Sequence, residues 1–384
     1  MQEPKVLKSS EKKYQMCSKT VMDTTDELIS FDKDGISNHY FEYQKEKNKT
    51  LLDEPLRSQY LEKKVAQIKK DGIKKKYDCL IGLSGGVDST YVALLVKKLG
   101  LRPLAVHLDN GWNSELAVSN IENIVNKLDI DLHTLVIDWN EFKDIQLSYL
   151  KASVIDIEVV SDHAIFSSMY KLAKEHNISH VISGTNVVTE FIMPKSWLYH
   201  KLDFLNLKDI HNKYGNVKLK TYPTFNIFKY IYYNSFLKLN PFSILNYVDY
   251  QKDEVKKIIS DELNWRDYGG KHYESIFTKF YQAYILPEKF GIDKRKAHLS
   301  TLICSGQITR EDAIKELEQP LYLPNELEND KEYILKKLGL SNSEFETIMN
   351  TPPRSHNDFK SDLPLKKKYM EFLKKTEKIR KYFR

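Results

Sequence analysis

Residues 77–100 constrain the fold of this chain more than any other part of its sequence. They begin with a short apolar run at residues 79–83, which is typical of a strand buried on both faces. The chain then turns through S-G-G-V-D-S at residues 84–89 and continues with apolar residues at helical spacing. A glycine turn before a helix N-terminus presents backbone N–H groups to an anion. The stretch therefore predicts a phosphate-binding loop between a strand and a helix.

This loop is not a Walker loop, because the Gly-Lys-Ser/Thr ending is absent. It carries Asp88 instead, and a carboxylate beside phosphates suits a site that orients Mg²⁺. The S-G-G-x-D-S arrangement resembles the PP-loop of the ATP pyrophosphatase superfamily, whose members cleave ATP to AMP and pyrophosphate and adenylate a substrate oxygen. The resemblance implies ATP and Mg²⁺ as cofactors. The residues that it implies for binding the nucleotide are Ser84, Gly85, Gly86, Asp88 and Ser89.

Composition sets only broad limits on the class of protein. The chain has 384 residues, enough for one large α/β domain and a smaller one. Its 59 basic and 53 acidic residues give a net charge of +6, which is too mild to indicate nucleic-acid binding by itself. The three cysteines lie far apart, so they predict no disulfide framework. No apolar run reaches the length of a membrane span, and we expect a soluble cytoplasmic protein.

Strands and helices alternate after the loop, which predicts a doubly wound, mostly parallel α/β sheet. One predicted strand ends at Asp109, and another ends at the Gly-Thr-Asn of residues 184–186. Ligands of such sheets bind beyond the carboxyl ends of the strands, so both ends are expected beside the nucleotide. The additional candidates for nucleotide binding are His107, Asp109, Gly184, Thr185 and Asn186. His107 fits a packing role in the core equally well.

Residues 16–43 resemble the N-terminal module of the N-acetyl sugar amidotransferase family, which converts acetamido sugars to acetamidino sugars in bacterial surface-glycan biosynthesis. They contain the V-M-D-T-x-D motif of that module. The family module has four cysteines, of which only Cys17 is present here. The other three positions hold Thr20, Ser37 and Tyr40. One thiolate cannot hold a structural zinc ion, so we expect a zinc-ribbon remnant that folds without metal.

The same module contains an Asp-Gly pair at residues 34–35, which predicts a hairpin turn. Without metal, apolar packing must hold the hairpin together. The side chains expected to do this are Val21, Ile29, Phe31 and Phe41.

Residues 265–310 resemble the same family nearly residue by residue. They combine a Gly-Gly turn with cations, histidines and a glutamate. A reaction that expels pyrophosphate requires fixed cations and hydrogen-bond donors, and attack by ammonia requires a base. The catalytic candidates that the resemblance implies are Lys271, His272, Glu274 and Arg295.

These motifs divide the chain into four parts. Residues 1–50 form the degenerate zinc-ribbon-like module, and residues 51–76 form a helical connector. Residues 77–318 form the PP-loop domain, which is expected to be adenine nucleotide alpha hydrolase-like. That domain contains an aromatic-rich insert at residues 187–245. Residues 319–384 form a helical and basic C-terminal region.

The resemblance implies an ATP-dependent amidotransferase that acts on an N-acetylated sugar through an adenylated imidate, in LPS O-antigen or flagellin glycan biosynthesis. It also implies that ammonia comes from a glutaminase partner paired with a cyclase-like barrel subunit. The aromatic insert and the basic C-terminal helix are candidate docking sites for that pair, although a basic amphipathic helix more often packs on its own domain.

Two other functions remain open from the sequence. One is a PP-loop tRNA-modifying enzyme of the thiolase type, which the basic C-terminal helix favours. Such an enzyme needs an active cysteine, and neither Cys17 nor Cys304 lies in a C-x-x-C pair, while Cys79 lies on the central strand. The other is a non-catalytic ATP-binding subunit, which the loss of the zinc ligands suggests and the intact loop argues against.

Overall fold

The computed structural model describes residues 13–237, 239–269 and 273–382. The described part of the chain is built around a five-stranded sheet in the order β3-β2-β1-β4-β5, in which every neighbouring pair is parallel. The strands are β1 (Cys79–Gly82), β2 (Pro103–Asp109), β3 (Asp131–Val136), β4 (His180–Ser183) and β5 (Asn240–Ser243). The predicted parallel, doubly wound sheet is therefore confirmed.

Helices connect these strands and make up the C-terminal part of the chain. Those up to β4 are α1 (Asn38–Thr50), α2 (Leu56–Asp71), α3 (Val87–Lys98), α4 (Glu115–Leu128), α5 (Trp139–Ala152) and α6 (Val159–Glu175). Those after β4 are α7 (Val187–Glu190), α8 (Phe204–Tyr214), α9 (Ile227–Tyr232), α10 (Lys252–Leu263), α11 (Ile276–Phe280), α12 (Leu286–Phe290), α13 (Arg295–Ser305), α14 (Arg310–Glu318), α15 (Pro324–Leu338), α16 (Asn342–Asn350) and α17 (Leu363–Tyr382).

Strand β1 is buried on both faces, as its continuous apolar run predicts. Cys79 and Ile81 pack on one face, in a core shared with α2, α3, α4 and α10. Leu80 points to the opposite face, where it packs with Leu172 of α6. Side chains alternate along a strand, so helices on both faces are required to cover this run.

The chain order of the strands reverses between β1 and β4. From β1 the chain moves outward through β2 to β3, and it then crosses back to β4 and β5 on the other side. In open parallel sheets the ligand crevice lies at such a reversal, beyond the carboxyl ends of the two strands. The segments that follow β1 and β4 are the S-G-G-V-D-S loop and residues 184–186. The topology therefore brings two predicted nucleotide-binding segments together.

The aromatic-rich insert contributes an element that the sequence analysis does not predict. Its residues Asn240–Ser243 form β5, which pairs with β4 at the edge of the sheet. Pro241 lies within this strand, and proline is tolerated in a sheet mainly at such an edge because it has no N–H to donate. The proline and the shortness of the strand hide it from pattern analysis.

The N-terminal module forms the predicted turn, but the two sides of that turn pair through a single bridge in place of a hairpin ladder. Gly35 has a φ of +72°, its N–H donates to Asp32, and one antiparallel bridge joins Phe31 to Ser37. Val21 and Ile29 are buried, whereas Phe41 is 48 % exposed, so its predicted core position is wrong. Phe41 lies on α1, where His39 and Tyr43 are instead the buried residues.

The C-terminal helix α17 packs on the insert of its own chain. The hydroxyl of Tyr369 lies 2.7 Å from Ser235 Oγ, and the ammonium of Lys366 donates to the carbonyl of Leu202. In the described part of the chain, no helix combines the length and apolar character needed to cross a membrane.

Candidate active site

The S-G-G-V-D-S loop, which we call the PP-loop (residues 84–89), connects β1 to the first turn of α3. Gly85 has a φ of +83°, which favours glycine, and a side chain there would meet the Tyr268 hydroxyl at 2.8 Å. The Gly85 carbonyl accepts hydrogen bonds from Trp265 Nε1 at 2.7 Å and from the Tyr268 hydroxyl at 3.0 Å. In a trans peptide the N–H points away from the carbonyl, so the N–H of Gly86 faces the opposite side. The two aromatic donors therefore fix the orientation of the Gly85–Gly86 peptide.

The two loop serines lie within one hydrogen-bond network. Ser84 Oγ and Ser89 Oγ are 3.1 Å apart, and Ser89 Oγ also donates to the Gly86 carbonyl at 3.1 Å. The N–H of Gly86 contacts Ser84 Oγ at 3.3 Å. These long contacts leave the hydroxyl groups able to turn towards a phosphate oxygen.

The PP-loop opens onto a cavity of about 600 Å³ that extends to the C-terminal region. This volume is in the range of small-molecule sites. The residues of the predicted site that line it are Ser84, Gly86, Asp88, Ser89, Gly184, Glu274 and Arg295.

Three cations in the cavity wall are paired with carboxylates. Lys256 lies 2.6 Å from Asp267, Lys294 lies 2.6 Å from Glu158, and Arg295 is held by its own acidic partner, described below. Paired cations contribute less positive potential to an incoming phosphate. The backbone N–H groups at the start of α3 also contribute positive potential at the PP-loop end.

Gly184, at the end of β4, packs directly against the start of α3. A side chain on Gly184 would lie 3.0 Å from Asp88 Cβ and 3.2 Å from its backbone carbon. Glycine at this position therefore permits the close approach of the two segments, which is a role distinct from contacting a ligand.

Thr185 and Asn186 continue from β4 into a second cavity of about 320 Å³, which shares Glu190 with the larger one. Thr185 Oγ1 lies 2.9 Å from Ser243 Oγ, at the end of the edge strand β5. Asn186 caps α7, because its side-chain oxygen accepts from the N–H of Thr189 at 2.7 Å. The unpredicted strand β5 thus supplies one wall of this cavity.

The imidazole ring of His107 is buried, and each of its two nitrogens contacts a polar group of the same chain. Asn113 Nδ2 lies 3.0 Å from His107 Nε2, and the carbonyl of Leu83 lies 3.0 Å from Nδ1. Because an amide nitrogen and a carbonyl oxygen are a donor and an acceptor, the ring must carry its proton on Nδ1. Burial lowers the pKa of His107, which keeps the ring neutral. The geometry gives His107 the packing role that the sequence left open, and any contact with nucleotide stays a prediction.

Asp109 shapes the turn after β2. Its Oδ1 accepts from the N–H of Gly111 at 2.9 Å. Neither Asp109 nor His107 is among the described residues that line the larger cavity. The turn itself still lies at the carboxyl edge of the sheet, so the nucleotide role of Asp109 also stays a prediction.

Glu274 is the catalytic candidate that the structure places nearest to the PP-loop. A side chain on Gly86 would meet Glu274 Oε1 at 3.7 Å. The Glu274 carbonyl accepts from the N–H of Ser114 at 2.9 Å, and Asn113 pairs with Ser275 in an antiparallel bridge. The turn after β2 thus holds Glu274 in place. The candidates Lys271 and His272 lie outside the described residues.

Arg295 lies at the cavity, but its guanidinium is committed to its own chain. It pairs with Asp293 at 2.8 Å, and it donates to the carbonyls of Glu316 and Gln319 at the end of α14. A further contact to the Leu317 carbonyl at 3.4 Å accounts for its last N–H group. This arrangement indicates a residue that anchors α14.

Two family models match the chain in succession. Residues 57–193 match the NAD synthase family, and residues 274–375 match the family described as "LPS biosynthesis protein WbpG-like, C-terminal domain". The first match contains the PP-loop, and the second contains Glu274 and the far wall of the cavity. Together the two matches support the predicted resemblance to the N-acetyl sugar amidotransferase family of the PP-loop superfamily. We call residues 274–375 the WbpG-like region.

Individual proteins are also similar to this chain. The uncharacterized protein MJ1599 of Methanocaldococcus jannaschii is 25 % identical over 304 residues, which cover 76 % of this chain and 89 % of that protein. The tRNA-specific 2-thiouridylase MnmA of Vesicomyosocius okutanii is 34 % identical over 88 residues, which cover 21 % of this chain and 24 % of the thiouridylase.

Among solved structures, the NH3-dependent NAD synthetase of Campylobacter jejuni is 15 % identical, with a TM-score of 0.33 over 69 % of this chain and 98 % of that one. The NMN synthetase of Francisella tularensis is 17 % identical, with a TM-score of 0.29 over 57 % of this chain and 96 % of that one. These scores are too low to carry an argument, and the assignment of the fold rests on the sheet order and the family matches.

The N-terminal module docks onto α13. Asp23 of the V-M-D-T-T-D motif is fully buried and forms an ion pair with Lys296. The N–H of Val21 donates to Ser300 Oγ at 3.1 Å, and Arg310 donates to the carbonyl of Thr20 at 3.0 Å. Three polar residues of the 265–310 motif, none of them a catalytic candidate, thus bind the N-terminal module. The sequence analysis missed this contact, although both motifs occur in one family.

Residues at the positions where the family module has zinc ligands form hydrogen bonds with one another. The N–H of Ser37 donates to Cys17 Sγ at 3.2 Å. Burial alone would raise the pKa of Cys17, but hydrogen bonds from Ser37 and Thr20 hold it below its ordinary value. Among the described residues, no three histidine, cysteine or acidic side chains cluster as a metal site. Whether the protein retains zinc stays a prediction.

The other cysteines are poorly suited to nucleophilic chemistry. Burial raises the pKa of Cys79 well above its ordinary value. Burial, with Cys17 nearby, raises the pKa of Cys304 to about 12. A thiol with a raised pKa carries little thiolate at neutral pH, and the thiolate is the reactive form.

Proposed function

We propose that the protein is an ATP-dependent amidotransferase that converts the acetamido group of a bacterial sugar to an acetamidino group. The observation that carries the proposal is the shared cavity of about 600 Å³, whose wall includes the PP-loop on one side and the WbpG-like region on the other. A phosphate site and a second substrate site that open into one cavity are what a transfer between ATP and a sugar requires.

The PP-loop end of this cavity fits MgATP. Backbone N–H groups at the start of α3, with Ser84 and Ser89, would hold phosphate oxygens. Asp88 places a carboxylate at the same end, and one or two carboxylates plus substrate phosphates are the usual ligands of Mg²⁺. The metal would neutralise phosphate charge. Adenosine would extend beyond β2 and β4, towards Asp109 and residues 184–186.

The proposed reaction has two displacement steps. The amide oxygen of the sugar attacks the α-phosphorus of ATP, a P–O bond to the bridging oxygen breaks, and pyrophosphate leaves. The nitrogen lone pair of ammonia then attacks the imidate carbon, and the C–O bond breaks as AMP leaves with the former amide oxygen. The attacking ammonia must lose a proton, for which Glu274 is the described candidate base. Adenylation is needed because an amide oxygen is a very poor leaving group.

We also propose that ammonia reaches this site from a glutaminase partner with a cyclase-like barrel subunit. A common class of glutaminase needs a nucleophilic cysteine. Cys17 and Cys79 are fully buried, and the pKa of Cys304 is raised to about 12 by burial. The protein should therefore use ammonium but not glutamine when it acts alone. The cytoplasm supplies ATP, and the product would enter LPS O-antigen or a flagellin glycan.

A second candidate function is tRNA thiolation, which the similarity to a tRNA-specific 2-thiouridylase favours. That similarity is confined to 88 residues and covers 24 % of the thiouridylase. The same cysteine environments that argue against a glutaminase also argue against sulfur delivery by this chain. A non-catalytic ATP-binding subunit would keep the PP-loop but show no exchange between ATP and pyrophosphate.

The test is incubation of the purified protein with MgATP, ammonium and a panel of N-acetylated sugars, analysed by mass spectrometry. The expected result is an acetamidino sugar with AMP and pyrophosphate. An Asp88→Ala protein in the same panel separates this activity from a contaminant. Formation of ADP, or conversion of tRNA but of no sugar, would refute the proposal.

A further inference from the structure

Asp88 of the PP-loop is contacted by a residue from a distant part of the chain. The hydroxyl of Tyr250 donates a hydrogen bond to Asp88 Oδ1. Tyr250 is 2 % exposed and lies in the segment before α10. Tyr250 is not among the described residues that line the larger cavity, so it reaches the site only through Asp88.

The phenol of Tyr250 acts as a permanent donor to this carboxylate. The ordinary pKa of a tyrosine hydroxyl is about 10. The hydroxyl therefore keeps its proton throughout the physiological pH range. With Oδ1 held by a donor of fixed position, the orientation of the whole carboxylate is set.

Tyr250 is in turn held by the WbpG-like region. Gln307 Nε2 donates to the Tyr250 carbonyl at 3.0 Å, and Gln307 Oε1 accepts from the N–H of Lys252 at 3.2 Å. One side-chain amide thus clamps the backbone on both sides of residue 251. Gln307 follows the C-cap Gly306 of α13, whose φ of +80° turns the chain towards this segment.

We propose that Tyr250 is a positioning residue, which fixes the Asp88 carboxylate for Mg²⁺ bound to ATP, and that Gln307 sets the position of Tyr250. This inference rests on the proposed function, since it assumes that the PP-loop binds MgATP. It assigns the WbpG-like region a role at the nucleotide site that does not involve contact with the nucleotide.

The inference predicts a specific defect when the hydroxyl is removed. Without this hydrogen bond the Asp88 carboxylate is oriented less firmly towards the metal, so Tyr250→Phe should need more Mg²⁺ for the same affinity for ATP. A hydrogen bond to a charged group corresponds to roughly a tenfold change in an equilibrium constant. We therefore expect the half-saturating Mg²⁺ concentration to rise about tenfold for Tyr250→Phe, and in the same direction but less for Gln307→Met.

The experiment is a calorimetric titration of ATP into each full-length variant at a series of Mg²⁺ concentrations, with thermal melts to verify folding. Tyr91→Phe is the matched control, because Tyr91 is a half-buried tyrosine whose ring lies 5.9 Å from that of Tyr250. Its Mg²⁺ dependence should equal that of the wild type. If Tyr250→Phe does not fold, Gln307→Met decides the question.

Wild-type Mg²⁺ dependence in folded Tyr250→Phe would overturn the inference, even if the protein melted at a lower temperature. A shift of equal size in Tyr91→Phe would also overturn it, since the effect would then reflect general loosening of α3. A wild-type protein that binds MgATP but modifies no sugar would refute the proposed reaction only, and the Mg²⁺ titration would still decide the role of Tyr250.

Discussion

The PP-loop and helix α13 carry two motifs that look equally functional in the sequence, but the structure uses them differently. Residues Ser84, Gly86, Asp88 and Ser89 of the PP-loop line one cavity. The polar residues of α13 mostly bind other parts of the same chain. Arg295 anchors α14 and Lys296 binds Asp23. A cluster of polar residues in a family motif therefore indicates a structural junction as readily as an active site.

The largest expected effect belongs to the PP-loop. Asp88→Ala should lower the rate of sugar-dependent turnover about a hundred- to a thousand-fold, because the Mg²⁺ that would offset the developing phosphate charge loses a ligand. The melting temperature should stay within a few degrees of the wild type, since Asp88 is only partly buried. Kinetics and thermal melts on one preparation check both parts. A variant that retains near-normal turnover would remove Asp88 from the site.

The next effect belongs to the junction between α13 and the N-terminal module. Lys296→Met leaves the carboxylate of Asp23 buried without its cation, which should cost about 3 kcal/mol in the free energy of unfolding. Adding Asp23→Asn should recover part of this loss, because the two changes are coupled. Urea denaturation measures each value.

The matched control for that pair is Lys315→Met, which removes an exposed contact of 3.8 Å to Asp312. Exposed pairs of this kind contribute about 0.5 kcal/mol or less. Equal losses in Lys296→Met and Lys315→Met would contradict the account of the junction.

Arg295 separates the two interpretations of α13 directly. Arg295→Lys keeps the charge but cannot reproduce the fork that binds Asp293 and the α14 carbonyls, so it should lower the free energy of unfolding by about 2 kcal/mol. Turnover by the folded fraction should change little. A hundredfold loss of turnover in a protein of unchanged stability would instead show that Arg295 acts on the reaction.

The smallest expected effect is on the pH dependence of stability. Burial lowers the pKa of His163 to about 4 and that of His356 to about 3, whereas both titrate near 6.5 when unfolded. The unfolded chain therefore binds protons first as the pH falls, and stability should decrease from about pH 6.5 towards pH 4. Asp362 opposes this below about pH 6, because burial raises its pKa to about 6 and the folded state then binds the proton.

We expect the free energy of unfolding to fall by a net amount on the order of 1 kcal/mol between pH 7 and pH 5.5, as measured by urea denaturation. Unchanged or increased stability over this interval would show that the two histidines are not held neutral. In an Asp362→Asn protein the decrease should be steeper, since the opposing group is absent.

The parts of the site that the sequence predicts are those encoded locally. The strand, the glycine turn and the first turn of α3 lie within a few residues of one another, so their pattern is sufficient to predict the loop. Gly184 follows from the rule that ligands gather at strand ends, although its observed role is close packing against Asp88.

The parts that the sequence does not predict depend on distant contacts. Tyr250 lies 162 residues from Asp88, and Trp265 lies 180 residues from Gly85. Lys296 lies 273 residues from Asp23. No periodicity or spacing in the sequence predicts contacts between residues so far apart, because these contacts form only when the helices and strands pack together. The sequence pattern does not predict the edge strand β5 for a local reason, because a proline such as Pro241 usually indicates the end of a strand.

The central claim is that the sugar's amide oxygen attacks ATP and leaves with AMP. It is tested most directly with an N-acetylated substrate, identified from the panel, that carries a heavy-oxygen label in its acetamido group. After turnover with MgATP and ammonium, mass spectrometry of the nucleotide should find the label in the phosphate of AMP. Label that stays in the sugar or appears in inorganic phosphate, or ADP in place of AMP, would contradict the account.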